Sequence, residues 1–99
     1  MEFKEKVLSL VGQIPRGKVT TYKELAKALG RQRAYRAVGN ALNKNPKPIK
    51  IPCHRVVRLD GQIGGYKLGQ KKKIELLERE GIIIKNKKVQ RLDRYLFKW

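Results

Sequence analysis

The sequence predicts a mostly α fold carrying one small β-hairpin, and three observations predict it. Apolar residues recur at three- and four-residue intervals in four separate stretches. Gly and Pro punctuate those stretches at short spacing. Only one segment, around Asp60-Gly61, has β-branched residues on one side of a two-residue turn signal and an alternating run on the other.

The elements follow in order. Phe3, Val7, Leu10, Val11 and Ile14 share a helical face, stopped by Pro15 and Gly17. Val19 and Thr20 are β-branched, and Thr21 with Glu24 makes a capping box that opens a second helix. Tyr22, Leu25, Ala26 and Leu29 line its inner face, and Gly30 suits its C-terminal cap. After the polar link Arg31-Gln32-Arg33, a third helix turns Ala34, Ala37, Val38, Ala41 and Leu42 inward. Two short helices joined by a tight turn read as a helix-turn-helix, whose second helix enters a DNA groove. The run from Asn43 to Pro52 holds three prolines and reads as an extended, stiff loop. Val56-Val57 and Gln62 to Tyr66 then form the hairpin, a wing that completes a winged helix-turn-helix. Gln70 to Glu80 is a helix with Ile74 and Leu77 inward and Lys71, Lys72 and Lys73 solvated, ending at Gly81. Ile82 to Ile84 suits a strand, and residues 85 to 99 form a basic tail of undetermined structure.

Ninety-nine residues fit one domain with a modest core. No apolar run approaches the roughly 20 residues a membrane span needs, and Met1 to Lys6 lacks the features of a signal peptide, so a cytoplasmic protein is expected. Twenty-five Lys and Arg against eight Asp and Glu give a formal charge of +17, which calls for a polyanion and first of all nucleic acid. A lysine-rich surface serving solubility or thermostability would give the same count. One Cys and one His cannot build a four-ligand zinc site, and no metal or cofactor is expected.

The lone Cys53 stands beside the lone His54 in Ile51-Pro52-Cys53-His54-Arg55-Val56-Val57. Positive charge and a neighbouring imidazole favour the thiolate, the nucleophilic form. A single cysteine is equally a small buried hydrophobe. Side chains of adjacent residues diverge in an extended chain, so cooperation between thiol and imidazole requires a turn or a bridging water.

Pro52 to Val56, Arg36-Ala37-Val38-Gly39, Tyr22 to Ala26, Asn45-Pro46, Gly61 to Tyr66 and Glu80-Gly81 together resemble the O6-alkylguanine-DNA alkyltransferases over residues 3 to 84. The resemblance implies that Cys53 takes an alkyl group from O6 of guanine in one irreversible displacement. It makes His54 the base, Glu80 its orienter, Tyr22 the donor to the leaving guanine and Asn45 a tie between the halves of the site. It assigns Arg36 to the space vacated by a flipped nucleotide, with Ala37, Gly39, Asn40 and Ala41 in the minor groove and Arg33, Lys23 and Tyr22 on the DNA beside it. Leu42, Pro48, Val56, Tyr66, Lys67 and Lys73 are expected to line the pocket. The implied partner is double-stranded DNA containing O6-alkylguanine, bound by a monomer, with other repair proteins as further partners. The additional N-terminal RNase H-like domain of many members is not expected here. Two other readings stay open: an alkyltransferase-like protein that binds such lesions without transfer, and a winged-helix transcription factor, which leaves Pro52 to Val56 unexplained.

Overall fold

The computed structural model describes residues 2–99. Its order is α1 (Phe3–Val11), β1 (Thr20–Thr21), α2 (Tyr22–Ala28), α3 (Tyr35–Asn43), a 3₁₀ turn (Cys53–Arg55), β2 (Val56–Val57), α4 (Gln70–Arg79), β3 (Ile84–Lys85), β4 (Lys88–Val89) and α5 (Leu92–Tyr95). The domain is mostly helical, with two small sheets. None of the described helices is long and apolar enough to cross a membrane.

Each of the first three helices buries one stripe. Val7 and Val11 of α1, Leu25 and Ala26 of α2, and Val38, Ala41 and Leu42 of α3 meet in one cluster with Ile14, Cys53 and Val56. The Thr21 hydroxyl accepts the Glu24 amide at 3.1 Å, which satisfies a donor that would otherwise be orphaned at the start of α2. Gly30 then reverses the chain at φ +73°, a left-handed conformation that favours glycine. Ala37, expected to face inward, is exposed, because its neighbour Val38 takes the buried stripe.

Of the expected hairpin only the base of the turn is formed, where Arg58 N–H donates to Gln62 O at 2.8 Å. Val56 and Val57 pair instead in parallel with Thr20 and Thr21. Successive side chains of a strand point to opposite faces, so Val56 enters the first cluster and Val57 a second one with Val19, Ile63, Leu77, Ile82 and Val89. The Asp60-Gly61 turn is real, closed by Gly61 N–H to Arg58 O at 2.9 Å. Gln62 leaves it to bridge Lys88, not Val57. The antiparallel hairpin of the domain is β3–β4, turned at Asn86 and Lys87, both with positive φ.

The proline-rich loop is also not extended. Ile51 N–H donates to Lys47 O at 2.9 Å across a turn in which Ile49 adopts φ +75°, rare for a β-branched residue. The tail is ordered by the body of the domain: Val19 N–H donates to Tyr95 O at 3.0 Å, Phe97 N–H to Val19 O at 2.7 Å, and the Thr20 hydroxyl to Phe97 O at 2.9 Å. Among the three lysines at the start of α4, Lys73 is buried at 1% exposure, contrary to the solvated face expected for it.

Candidate active site

Pro52 cannot continue a helix or donate a hydrogen bond, and the chain after it makes one tight 3₁₀ turn, with Arg55 N–H donating to Pro52 O at 2.9 Å. That turn sends Cys53 and His54 in different directions from adjacent positions. Cys53, 4% exposed, meets a cavity of about 210 Å³ that is also lined by Tyr22, Gly39, Leu42, Asn43, Gly65, Tyr66 and Lys67. This volume lies below the roughly 300 Å³ at which drug-sized pockets begin, and suits a single flat ring system.

His54, the next residue, is 1% exposed, with Nε2 at 2.9 Å from Glu80 Oε2. Burial lowers its pKa below the ordinary histidine value and outweighs the pull of Glu80. Burial pushes the Glu80 carboxyl the other way, but hydrogen bonds from Arg55 and His54 prevail and hold it below the usual carboxylate range. The pair is therefore neutral imidazole and carboxylate. A carboxylate only accepts, so the imidazole proton is on Nε2 and the lone pair on Nδ1. Nδ1 is buried with no hydrogen-bond partner among the described residues, which is the state a base requires.

Arg55 fixes the orienting carboxylate. Its Nε donates to Glu80 Oε1 at 2.8 Å, one terminal nitrogen to Oε2 at 2.9 Å, and the other to Ile14 O at 2.7 Å. A forked contact of this kind restricts both position and rotation. Glu80 follows the last residue of α4, where the helix dipole disfavours negative charge, and the guanidinium offsets that. Sequence reasoning quoted Arg55 within its motif without giving it a role. Its adjacency to His54, which shares its carboxylate, was the available signal.

Two phenols flank the thiol. Burial, with a further contribution from neighbouring Cys53, raises the pKa of Tyr22 and pushes that of Tyr66 up to about 12. Both remain hydroxyl donors at neutral pH. The Tyr66 hydroxyl is buried without a partner among the described residues, and its ring meets His54 edge to face at 6.3 Å.

Asn45 is fully buried and joins three segments. Its Nδ2 donates to Ile51 O at 2.9 Å, its Oδ1 accepts Lys47 N–H at 2.9 Å, and its carbonyl accepts Lys67 Nζ at 2.6 Å. The end of α3, the approach to Cys53 and the cavity wall are thereby tied together.

Several expected residues lie elsewhere. Pro48 sits in the turn bridged to Ile51 and does not line the Cys53 cavity. Val56 is fully buried in the first cluster with Cys53 and does not itself line the cavity. Lys73 is beneath the wall, donating to Val56 O at 2.7 Å and Gly65 O at 3.0 Å. Ala41 is buried in the core, whereas Arg33, Arg36, Ala37 and Asn40 are exposed and Gly39 half-buried. Lys23 and Arg36 line a second, larger cavity of about 550 Å³, which shares Tyr22 and Gly65 with the first. Of the two, only the smaller is lined by the thiol.

A family model described as the 6-O-methylguanine DNA methyltransferase, DNA binding domain, matches residues 2–82. The chain is 48% identical over 81 residues to the methylated-DNA–protein-cysteine methyltransferase of Methanothermobacter thermautotrophicus, covering 82% of this chain and 45% of that protein. It superposes with a TM-score of 0.79 and 40% identity on Mycobacterium tuberculosis OGT in complex with DNA, covering 82% of this chain and 49% of that one. On S. pombe Atl1 in complex with damaged DNA containing O6-carboxymethylguanine, the TM-score is 0.82 at 34% identity, covering 97% and 94%. The chain thus spans half or less of the length of the methyltransferases it is compared with here, and nearly all of Atl1.

Proposed function

The chain belongs to the family of 6-O-methylguanine DNA methyltransferase DNA-binding domains, and on that premise we propose that it repairs DNA by taking the alkyl group from O6 of guanine onto Cys53. The observation that carries this reading is a thiol lining a cavity, next in the chain to a buried neutral imidazole whose Nδ1 is free and whose Nε2 is held by an ionised carboxylate. His54 takes the thiol proton through a bridging water, since Nδ1 makes no hydrogen bond to Sγ. Cys53 Sγ then forms a bond to the alkyl carbon while the bond from that carbon to O6 breaks, and the electron pair passes into the guanine ring. Tyr22 donates a hydrogen bond toward the charge that develops there. The thioether is stable, so each molecule reacts once.

O6 is not accessible to the thiol within the stacked duplex, so the damaged nucleotide turns out into the Cys53 cavity, at a few kcal/mol of unstacking that a weakly paired lesion reduces. We read α2 and α3 as the helix-turn-helix and the segment 58–66 as the wing. Arg36, exposed at the start of α3, fills the gap in the stack, and the exposed Ala37, Asn40 and Arg33 with Lys23 border the DNA. The partner is double-stranded DNA bound by a monomer, since every group the reaction needs belongs to one chain. The activity operates where the DNA is, in the cytoplasm and on the nucleoid in a prokaryote.

Coverage of 94% of Atl1 favours a second reading, in which the protein binds the lesion without transfer and recruits other repair proteins. Intact mass after incubation with O6-methylguanine duplex separates the two. A gain of about 14 Da, absent in Cys53→Ser, is expected, because removing the nucleophile abolishes a step that it alone performs. Lesion binding with no gain in mass establishes the second reading instead.

A further inference from the structure

The larger cavity does not hold the thiol, yet it adjoins the Cys53 cavity across a shared wall of Tyr22 and Gly65. Its volume, about 550 Å³, falls within the roughly 300 to 1,000 Å³ of ligand sites. Two apolar side chains stand open on it: Tyr35, 53% exposed at the start of α3, and Leu59, 62% exposed on the turn closed by Gly61. An exposed tyrosine or leucine alone is unremarkable, but here both border one concavity next to a site where a base must enter. Lys23, Arg36 and Arg58 also line it, and no carboxylate does. None of the three forms an ion pair among the described residues. Asp60, the acid nearest Arg58 in sequence, accepts the Gln62 amide at 3.0 Å, and Glu24, beside Lys23, does not line the cavity.

Apolar faces for a base and free cations for its phosphate define the chemistry of a nucleotide. We propose that this cavity is a second nucleotide subsite, which takes the nucleotide adjacent to the everted one on the same strand. Its base packs between Tyr35 and Leu59, and its phosphate is held by Lys23 and Arg58. The inference rests on the reading of the Cys53 cavity as the receptor of an everted guanine. The shared wall gives the connection, because a strand that places one nucleotide against Cys53 must cross Tyr22 and Gly65 to leave. An apolar clamp reads the face of a base and not its hydrogen-bonding edge, so the subsite tolerates any neighbouring sequence.

The test is a cycle of protein and DNA changes read as equilibrium binding, in a Cys53→Ser background so that transfer does not consume the complex. Fluorescence anisotropy is measured on O6-methylguanine duplexes whose 5′ or 3′ neighbour of the lesion is either a normal nucleotide or an abasic one. With Tyr35 and Leu59 present, removing the neighbouring base on one side is expected to weaken binding about tenfold, within the range of base stacking on an aromatic ring. In the doubly substituted Tyr35→Ala, Leu59→Ala protein that penalty falls to within about twofold, since the groups that sensed the base are gone. Both side chains are exposed, so the core is left intact, and Tyr35→Phe retains the penalty. A penalty that is absent with the clamp in place, or of the same size without it, overturns the subsite. Failure of the transfer reading is seen separately, as no gain in mass when unmodified protein is incubated with free O6-benzylguanine.

Discussion

Lys73 carries a stability that depends on pH in a way its surroundings set. Its ammonium is buried against the carbonyls of Val56 and Gly65, and burial pushes its pKa down from an ordinary 10.5 to about 7, with Cys53 opposing. Between those values the unfolded chain binds more protons than the folded one, so stability rises as pH rises and is lost again as pH falls toward 7. At pH 7 about half of the folded molecules hold the proton; at pH 9 almost none do, while the unfolded chain is still almost fully charged. Linkage over that interval amounts to about 2 kcal/mol, approaching the limit of about 1.4 kcal/mol per pH unit for a single group. The perturbation is Lys73→Met, which keeps the aliphatic stem and removes the titrating amine. Urea unfolding of both proteins at pH 7 and pH 9 subtracts the contribution of the remaining basic groups, which the two share. The wild type is expected to gain about 2 kcal/mol more than the variant, or roughly 8–16 °C in melting temperature for a domain of this size. Equal gains in both proteins would mean that Lys73 titrates as an exposed lysine, and the argument from burial would be wrong.

Other outcomes follow from the same geometry. Transfer rates measured in single turnover are expected to be level from pH 8 down to pH 6.5 and to fall about tenfold per unit below the lowered pKa of His54, because an imidazolium has no lone pair to accept the thiol proton; a half-maximal rate above pH 6.5 contradicts a burial-lowered base. Glu80→Gln leaves Arg55 without its ionic partner and no longer fixes the Nε2 proton, so transfer slows by about a hundredfold or more, the lower end of what a positioned base contributes. Arg36→Ala slows transfer from duplex DNA but not from free O6-benzylguanine, where no base has to be turned out, and equal losses on the two substrates count against that role. Thr21→Ala removes the cap of α2 and lowers stability by about 1 kcal/mol, read as a shift in the urea midpoint.

The helices were legible because each carries its own signal. Val7 and Val11, Leu25 and Ala26, and Val38 and Leu42 repeat at helical spacing, and Thr21 and Gly30 mark ends by local chemistry. The string Pro52 to Val56 drew attention to Cys53 and His54 for a similar reason, since both are single in the chain and adjacent. The partner of Val56-Val57 was not legible. A two-residue strand is too short to name its neighbour, and parallel pairing with Thr20-Thr21 depends on how α2 and α3, which lie between the two in sequence, pack together. The turn at Asp60-Gly61 was correctly located but pointed to the wrong pairing, because turn chemistry fixes a reversal and not the strand that accepts it.

By itself, then, the sequence determined the helical segments, the excess of positive charge and the adjacency of the single Cys53 and single His54. Tertiary structure alone decided that Lys73 is buried while Lys71 is not, that Arg55 and His54 share one carboxylate, and that the tail folds back along Val19. The reason is physical. Helix periodicity and capping arise from residues within one or two turns of each other, whereas burial of a charge and the sharing of a carboxylate are set by groups that only the finished packing brings within hydrogen-bonding distance.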